Sequence, residues 1–151
     1  MDEKKVIIGC DHGGYLLKTQ LVEVLQEKGI EVEDVGCYND ESCDYPDFAK
    51  EVACKVKKCG CVGILVCGTG IGMSIAANKV KGIRAALVHD EYTGRMAKEH
   101  NNANIICLGG RTTSREQAIK AVLAWLHAEF QGGRHERRLS KIAELEVREC
   151  R

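Results

Sequence analysis

The chain has 151 residues, with 22 lysines and arginines against 22 aspartates and glutamates, so no global charge favours nucleic acid or an acidic membrane surface. Its size suits one domain, residues 1–151, that buries about two-thirds of its unfolded surface without disulfide staples. Nine cysteines would suit a secreted framework, but the opening Met-Asp-Glu-Lys-Lys-Val has no long apolar signal core and no apolar run reaches membrane-spanning length, so a reducing cytoplasm is expected.

Short β-branched runs alternate with stretches of helical period, the pattern of a parallel sheet covered by helices on both faces. Residues 5–10 predict the first strand. Leu17, Leu21, Val24 and Leu25 recur at helical spacing and predict a helix that Gly29 ends. Residues 30–35 predict strand two. Phe48, Val52 and Val56, with Ala49 and Ala53 beside them, predict a helix starting near Pro46 and stopping near Gly60. Strand three, 62–66, runs into a glycine-rich turn and a helix over 73–78. Strand 83–88, helix 91–99, strand 104–108 and helix 115–130 continue the alternation, the last with Ile119, Val122, Leu123, Leu126 and Phe130 on one face. Beyond Gln131-Gly132-Gly133 a charged helix, 134–151, carries Leu139, Ile142, Ala143, Leu145 and Val147. These are too few to cover a core face, so it is expected to pack on another subunit.

The stretch Ile64-Leu-Val-Cys67-Gly68-Thr69-Gly70-Ile71-Gly72-Met-Ser74 carries the most chemistry. Its three glycines let the backbone approach a ligand closely, and the helix that follows points free N–H groups back at the turn, as an anion requires. The same field favours a thiolate, which makes Cys67 a candidate base. Free cysteine is also among the most buried residue types, so the turn alone leaves a core role open. Ligands of open α/β sheets bind beyond the carboxyl ends of strands. Asp11 and His12 follow strand one there, Cys67 and Thr69 strand three, His89 and Asp90 strand four, and Arg111 strand five.

Other groups receive plainer readings. Cys54, Cys59 and Cys61 lack zinc-knuckle spacing, so no metal site is expected. Cys10, Cys37, Cys43, Cys107 and Cys150 are read as core or incidental thiols. His127 receives no role, and His89 suits the start of a helix beside Asp90. One proline and 5% aromatics offer neither a proline-rich linker nor a base-stacking platform.

Taken together, Gly9-Cys10-Asp11-His12-Gly13-Gly14, Asp44-Tyr45-Pro46, the run from Cys67 to Lys79, Gly82-Ile83-Arg84-Ala85, His100-Asn101 and Gly132-Gly133-Arg134-His135 resemble the type B ribose-5-phosphate isomerases over nearly the whole chain. The resemblance implies a Rossmann-like α/β three-layer sandwich with a five-stranded parallel sheet and a C-terminal helix exchanged at a dimer interface. It implies cofactor-free interconversion of ribose 5-phosphate and ribulose 5-phosphate in a homodimer, which can pair further to a tetramer, with active sites built between subunits. By the same resemblance Cys67 is the base, while Thr69 and the N–H groups of Gly68 through Gly72, Ile71 included, hold the enediolate charge. His100 opens the furanose ring. Asp11 and His12 contact the sugar, Asn101 binds a hydroxyl, and Tyr45 and Ser74 belong to the substrate-binding set. Arg134 and Arg138 bind the phosphate with Arg111 as a third member. Arg134 and Arg138, four residues apart, share a helical face, whereas Arg137 points elsewhere.

Relatives acting on allose or galactose 6-phosphate keep a phosphohexose substrate open. A non-catalytic phosphosugar sensor would need only the glycine turn and the arginines, and a redox switch would need only the cysteines. The pairing of Cys67 with His100 favours the enzyme, since a sensor has no use for a base and a second proton donor.

Overall fold

The computed structural model describes residues 5–148 and 150. Five parallel strands form one sheet in the order β2-β1-β3-β5-β4: β1 Val6–Cys10, β2 Val32–Asp34, β3 Val62–Cys67, β4 Ala85–Leu87 and β5 Ile105–Gly109. The three central strands are buried along their whole length, which is why they read as continuous apolar runs rather than alternating ones. Residues of alternate parity go to opposite faces. Val6, Ile8, Ile64, Val66, Ile106 and Leu108 join α1 (Tyr15–Glu27) and α5 (Arg115–His127), with α4 (Glu91–Glu99) on the same side. Ile7, Leu65, Cys67, Ile105 and Cys107 join α2 (Tyr45–Cys59) and α3 (Ile71–Ala77) on the other. The expected α/β sandwich is the observed one.

Local chemistry sets the helix ends. Pro46 stands in the first turn of α2, and Gly60, at φ +67°, closes it. Asp90 caps α4 through a reciprocal bond with Thr93, and the Ser114 hydroxyl accepts from the Gln117 N–H to start α5. The left-handed turn at Gly60 also brings Cys59 and Cys61 together, with Cα atoms 5.2 Å apart, and they are joined as a disulfide.

Two helices differ from expectation. α5 stops at His127, because Ala128 is extended (φ −74°, ψ 158°), and Phe130 lies outside it. Its buried face is Ala118, Ala121, Val122 and Trp125, not the larger aliphatic residues, of which Ile119 and Leu126 are only partly buried. α4 packs closely on that face: a Cβ on Gly94 would collide with the Ala121 carbonyl. Trp125 is fully buried and donates its indole N–H to the Ala103 carbonyl at 3.0 Å, tying α5 to the start of β5.

The last helix, α6 (Arg134–Leu145), ends six residues before the expected boundary, of which 149 and 151 lie outside the described residues. It runs beside the β4 edge, where the Glu146 carboxylate accepts the Gly82 N–H at 2.9 Å. Asn78 covers part of that edge by donating to the Ala85 carbonyl (2.9 Å) and accepting its N–H (2.8 Å). Ile142, Leu145 and Val147 remain exposed, as does Leu87 on β4.

Gly94→Ala separates packing from helix propensity, since an exposed helical site would gain about 1 kcal/mol from alanine. Here the variant should be less stable by about 1–3 kcal/mol in urea unfolding, because the Cβ must push α4 off α5. An unchanged or raised midpoint would contradict the α4–α5 contact.

Candidate active site

The chain leaves β1 toward β2 on one side and crosses to β3 on the other, so the carboxyl ends of β1 and β3 flank the point where the strand order reverses. The turns beyond β1, β3 and β5 are locked together by backbone bonds: Asp11 N–H to the Val66 carbonyl (3.1 Å), Gly110 N–H to the Cys67 carbonyl (2.8 Å) and Arg111 N–H to the Gly68 carbonyl (2.9 Å). The turns touch so closely that a Cβ on Gly110 would lie 2.5 Å from the Gly13 carbonyl oxygen.

Cys67 is the last residue of β3 and only 5% exposed. Gly70, held at φ +79°, aims its N–H at the Cys67 Sγ across 3.1 Å, so the sulfur is a hydrogen-bond acceptor. Thr69 is exposed, and its Oγ1 accepts the Ile71 N–H at 3.3 Å. Two of the N–H groups expected to hold an oxyanion, those of Gly70 and Ile71, are therefore engaged within the turn itself. The Ser74 hydroxyl donates to the Ile71 carbonyl at 2.8 Å, and the Tyr45 ring packs over Gly72, where a Cβ would come within 2.7 Å of it. Ile71 stands half exposed at the mouth, and Arg111 lies alongside Gly68.

Asp11 is buried at the other wall, its Oδ1 accepting the N–H groups of Gly13 (2.9 Å) and Gly14 (3.2 Å) in the single 3-10 turn His12–Gly14. His12 accepts the Cys43 N–H at Nδ1 (3.3 Å), which places the proton of a neutral ring on Nε2 and makes that edge a donor. Deeper thiols differ. Burial, reinforced by the neighbouring Cys37, pushes the Cys10 thiol up, and burial, reinforced by Cys67, pushes the Cys107 thiol up, so both stay protonated. Cys43 is also raised, chiefly by burial.

A second group stands elsewhere. α4 returns the chain from the end of β4 to the start of β5, so His100, its C-cap, and the exposed Asn101 lie at the amino edge of the sheet. Cys67 pairs with Gly109 at the far end of β5, and the strand puts the two groups roughly 15 Å apart. There the His100 ring stacks on His135, with centroids 4.2 Å apart and planes inclined by 14°. Gln131 donates its backbone N–H to the Glu99 carbonyl (3.0 Å) and its side-chain amide to the Glu99 carboxylate (3.1 Å), docking the start of α6 on the end of α4. Arg134 and Arg138 project from α6, both exposed.

The candidate residues thus form two clusters at opposite edges of the sheet: Asp11, His12, Tyr45, Cys67–Gly72, Ser74 and Arg111 at one, His100, Asn101, Arg134 and Arg138 at the other. A cleft of about 370 Å³ lies between α6 and the β4 edge, lined by Arg84, Asn101, Leu139 and Ile142 among others, and does not reach Cys67. The Gly70 N–H aimed at the Cys67 sulfur, rather than this cleft, singles out Cys67 as the candidate reactive position. His89 stays out of both clusters, exposed at the start of α4 with Nε2 3.7 Å from the Asp90 carboxylate. His127 is exposed on α5. Among the described residues no group of histidine, cysteine and carboxylate side chains is arranged to hold a metal ion, and no helix is long and apolar enough to cross a membrane. The stack of His135 on His100 was beyond sequence reasoning; its one signal was a histidine next to Arg134 at the start of a helix.

The family described as ribose/galactose isomerase matches residues 6–142. The chain is 45% identical over 147 residues to ribose-5-phosphate isomerase B of Escherichia coli (strain K12), covering 96% of this chain and 98% of that protein. Its fold superposes with a TM-score of 0.93 on ribose-5-phosphate isomerase B of Clostridium thermocellum, at 53% identity over 95% of this chain and 97% of that one. A second solved structure, Mycoplasma genitalium ribose-5-phosphate isomerase B with bound ribulose-5-phosphate, is 47% identical, with a TM-score of 0.91 over 96% of this chain and 97% of that one.

Burial first, then the neighbouring His100, Arg134 and Arg138 charges, hold the His135 imidazole below its ordinary 6.5. A depressed histidine favours the folded state above its unfolded pKa and withdraws that support as pH falls through its folded pKa, so this end of α6 should loosen on acidification below 6.5. In an NMR titration His135 should show a midpoint under 6.5, and His100→Asn should raise it by removing one cationic neighbour. A midpoint at or above 6.5 in the wild type would contradict this environment.

Proposed function

The chain belongs to the ribose/galactose isomerase family, and from that premise we propose that it interconverts ribose 5-phosphate and ribulose 5-phosphate, with Cys67 as the base in a site completed by a second copy of the chain. The observation that carries the reading is Cys67 itself: a nearly buried sulfur at the topological switch point, accepting an N–H, with Asp11 and His12 on the facing wall.

Aldose–ketose isomerisation is redox neutral and needs only protons moved. His100 passes a proton to the ring oxygen of the furanose as the bond from that oxygen to C1 breaks, and the anomeric hydroxyl gives its own proton to solvent, leaving the C1 aldehyde of the open chain. Cys67, as thiolate, then takes the proton from C2 of the aldose and leaves an enediolate. The negative charge on its oxygens is met by Thr69 and by N–H groups of the glycine turn; those of Gly70 and Ile71 exchange their present acceptors for the substrate. Return of the proton to C1, with the O2 hydroxyl proton passing to O1, gives the ketose. Asp11 and the Nε2 edge of His12 fix the sugar hydroxyls, with Asn101 beside them. Arg134 and Arg138, four residues apart on α6, grip the phosphate with Arg111. No cofactor enters this chemistry.

The separation of the clusters is what calls for two copies. His100, Asn101, Arg134 and Arg138 of one protomer face Cys67 of its partner, and the exposed Ile142, Leu145 and Val147 of α6 supply apolar surface for the contact. A homodimer is the smallest active unit on this reading. The zero net charge and the free thiols at the site suit a cytoplasmic enzyme of small metabolites rather than a binder of nucleic acid or membranes. Ribose 5-phosphate is preferred over allose or galactose 6-phosphate, in line with the names of the relatives and the ribulose-5-phosphate bound to the Mycoplasma protein.

Cys67→Ser should lower isomerisation by about 100-fold or more, because a serine hydroxyl does not ionise near neutrality, while leaving sugar-phosphate affinity close to wild type. A coupled assay with ribose 5-phosphate and a calorimetric titration read the two quantities. Wild-type turnover in the serine variant would remove Cys67 from the mechanism. Faster turnover of a phosphohexose than of ribose 5-phosphate by the wild type would overturn the substrate.

A further inference from the structure

We propose that His135 is the positioning residue for His100: its stacked ring fixes the plane of the ring-opening imidazole against the first turn of α6. The inference rests on the ring-opening role proposed for His100. Its geometric basis is the parallel stack, 4.2 Å between centroids and 14° between planes.

Face-to-face stacking occupies the π surface of His100 and leaves both ring nitrogens free in the plane, where they can exchange a proton with a sugar oxygen. A hydrogen bond from a neighbour would have fixed the ring equally well but consumed one of them. His135 suits the task because it is buried to 7% exposure while Arg134, Glu136, Arg137 and Arg138 around it are exposed. Gly133 gives α6 no side-chain cap, so its first turn is held by the His135 N–H to the Gly132 carbonyl (3.1 Å), by the two Gln131–Glu99 bonds and by the stack. The His100 N–H in turn donates to the Met96 carbonyl at 2.9 Å, so each ring of the pair hangs from a fixed helix end. Burial and the surrounding cations keep His135 neutral, and the stack does not set two charges face to face.

The test compares His135→Ala, His135→Phe and His100→Asn in two assays: turnover of ribose 5-phosphate, and solvent deuterium incorporation into ribulose 5-phosphate. The ketose cannot close a five-membered ring, since its 5-hydroxyl carries the phosphate, and needs no ring opening. His135→Ala should lower aldose turnover about tenfold, with KM and ketose exchange nearly unaffected. His135→Phe, which restores the stack without a titratable group, should recover most of the loss. Equal losses in both assays, or a rise in KM for both sugars, would make His135 a structural support of α6 and overturn the proposal. A phenylalanine variant as impaired as alanine would overturn it too. If His100→Asn fails to separate the assays, the ring-opening role of His100 falls. If His100→Asn separates them and His135→Ala does not, the positioning role alone falls.

Discussion

In a parallel sheet every crossover helix carries the chain back from the carboxyl edge to the amino edge, so a residue ending such a helix stands a strand's length from a residue ending a strand. Cys67 ends β3 and His100 ends α4. No side-chain rearrangement brings them together across roughly 15 Å of fully buried strand. In the function proposed above, the isomerase chemistry needs a carbon base and a ring-opening group on one sugar, and this separation is the reason for drawing its two halves from two chains. The charged, sparsely apolar α6 fits the same constraint: it carries Arg134, His135 and Arg138 of the second cluster and leaves Ile142 and Leu145 exposed rather than in the core of its own chain.

Each cluster is built to hold its reactive atom with little freedom. Around Cys67 the turns beyond β1, β3 and β5 interlock through backbone bonds whose closeness demands glycine at Gly110, and the positive φ of Gly70 delivers an N–H to the sulfur. Around His100 the fixing element is the stack on His135, with Gln131 clasping Glu99 beside it. The first cluster is made rigid by the sheet and the second by a helix-to-helix junction, which suits a base that must stay in place and a partner that arrives with another chain.

The sheet was legible in the sequence because its central strands are buried on both faces and β-branched, leaving no competing helical period over so short a run. The ends of α2, marked by Pro46 and Gly60, were legible for similarly local reasons. The buried face of α5 was not. It rests on tertiary contacts, Gly94 of α4 against the Ala121 backbone and the Trp125 indole on the Ala103 carbonyl, where aliphatic periodicity pointed to Leu123 and Phe130. The Cys67 turn with Asp11 and His12 followed from strand order and residue type. The other half of the site came from resemblance alone, since nothing in the run His100-Asn101 distinguishes a helix end at the amino edge from one near the strand tips. The Cys43 N–H that sets the His12 tautomer and the His100–His135 stack join residues 31 and 35 apart in sequence, beyond the reach of any periodicity. The Cys59–Cys61 disulfide depended on one left-handed glycine between two cysteines, a geometry that composition does not reveal.

The shared site is tested most directly by mixing two inactive chains. Cys67→Ser and His100→Asn, purified separately, dissociated and reassociated at equal amounts, should recover about a quarter of wild-type ribose 5-phosphate turnover. Half of the dimers formed at random are mixed, and each of those holds one intact site in which an unaltered Cys67 meets an unaltered His100. If mixed dimers form, as native mass spectrometry would show, and turnover stays at the level of the separate variants, then Cys67 and His100 act within one chain and the account is wrong.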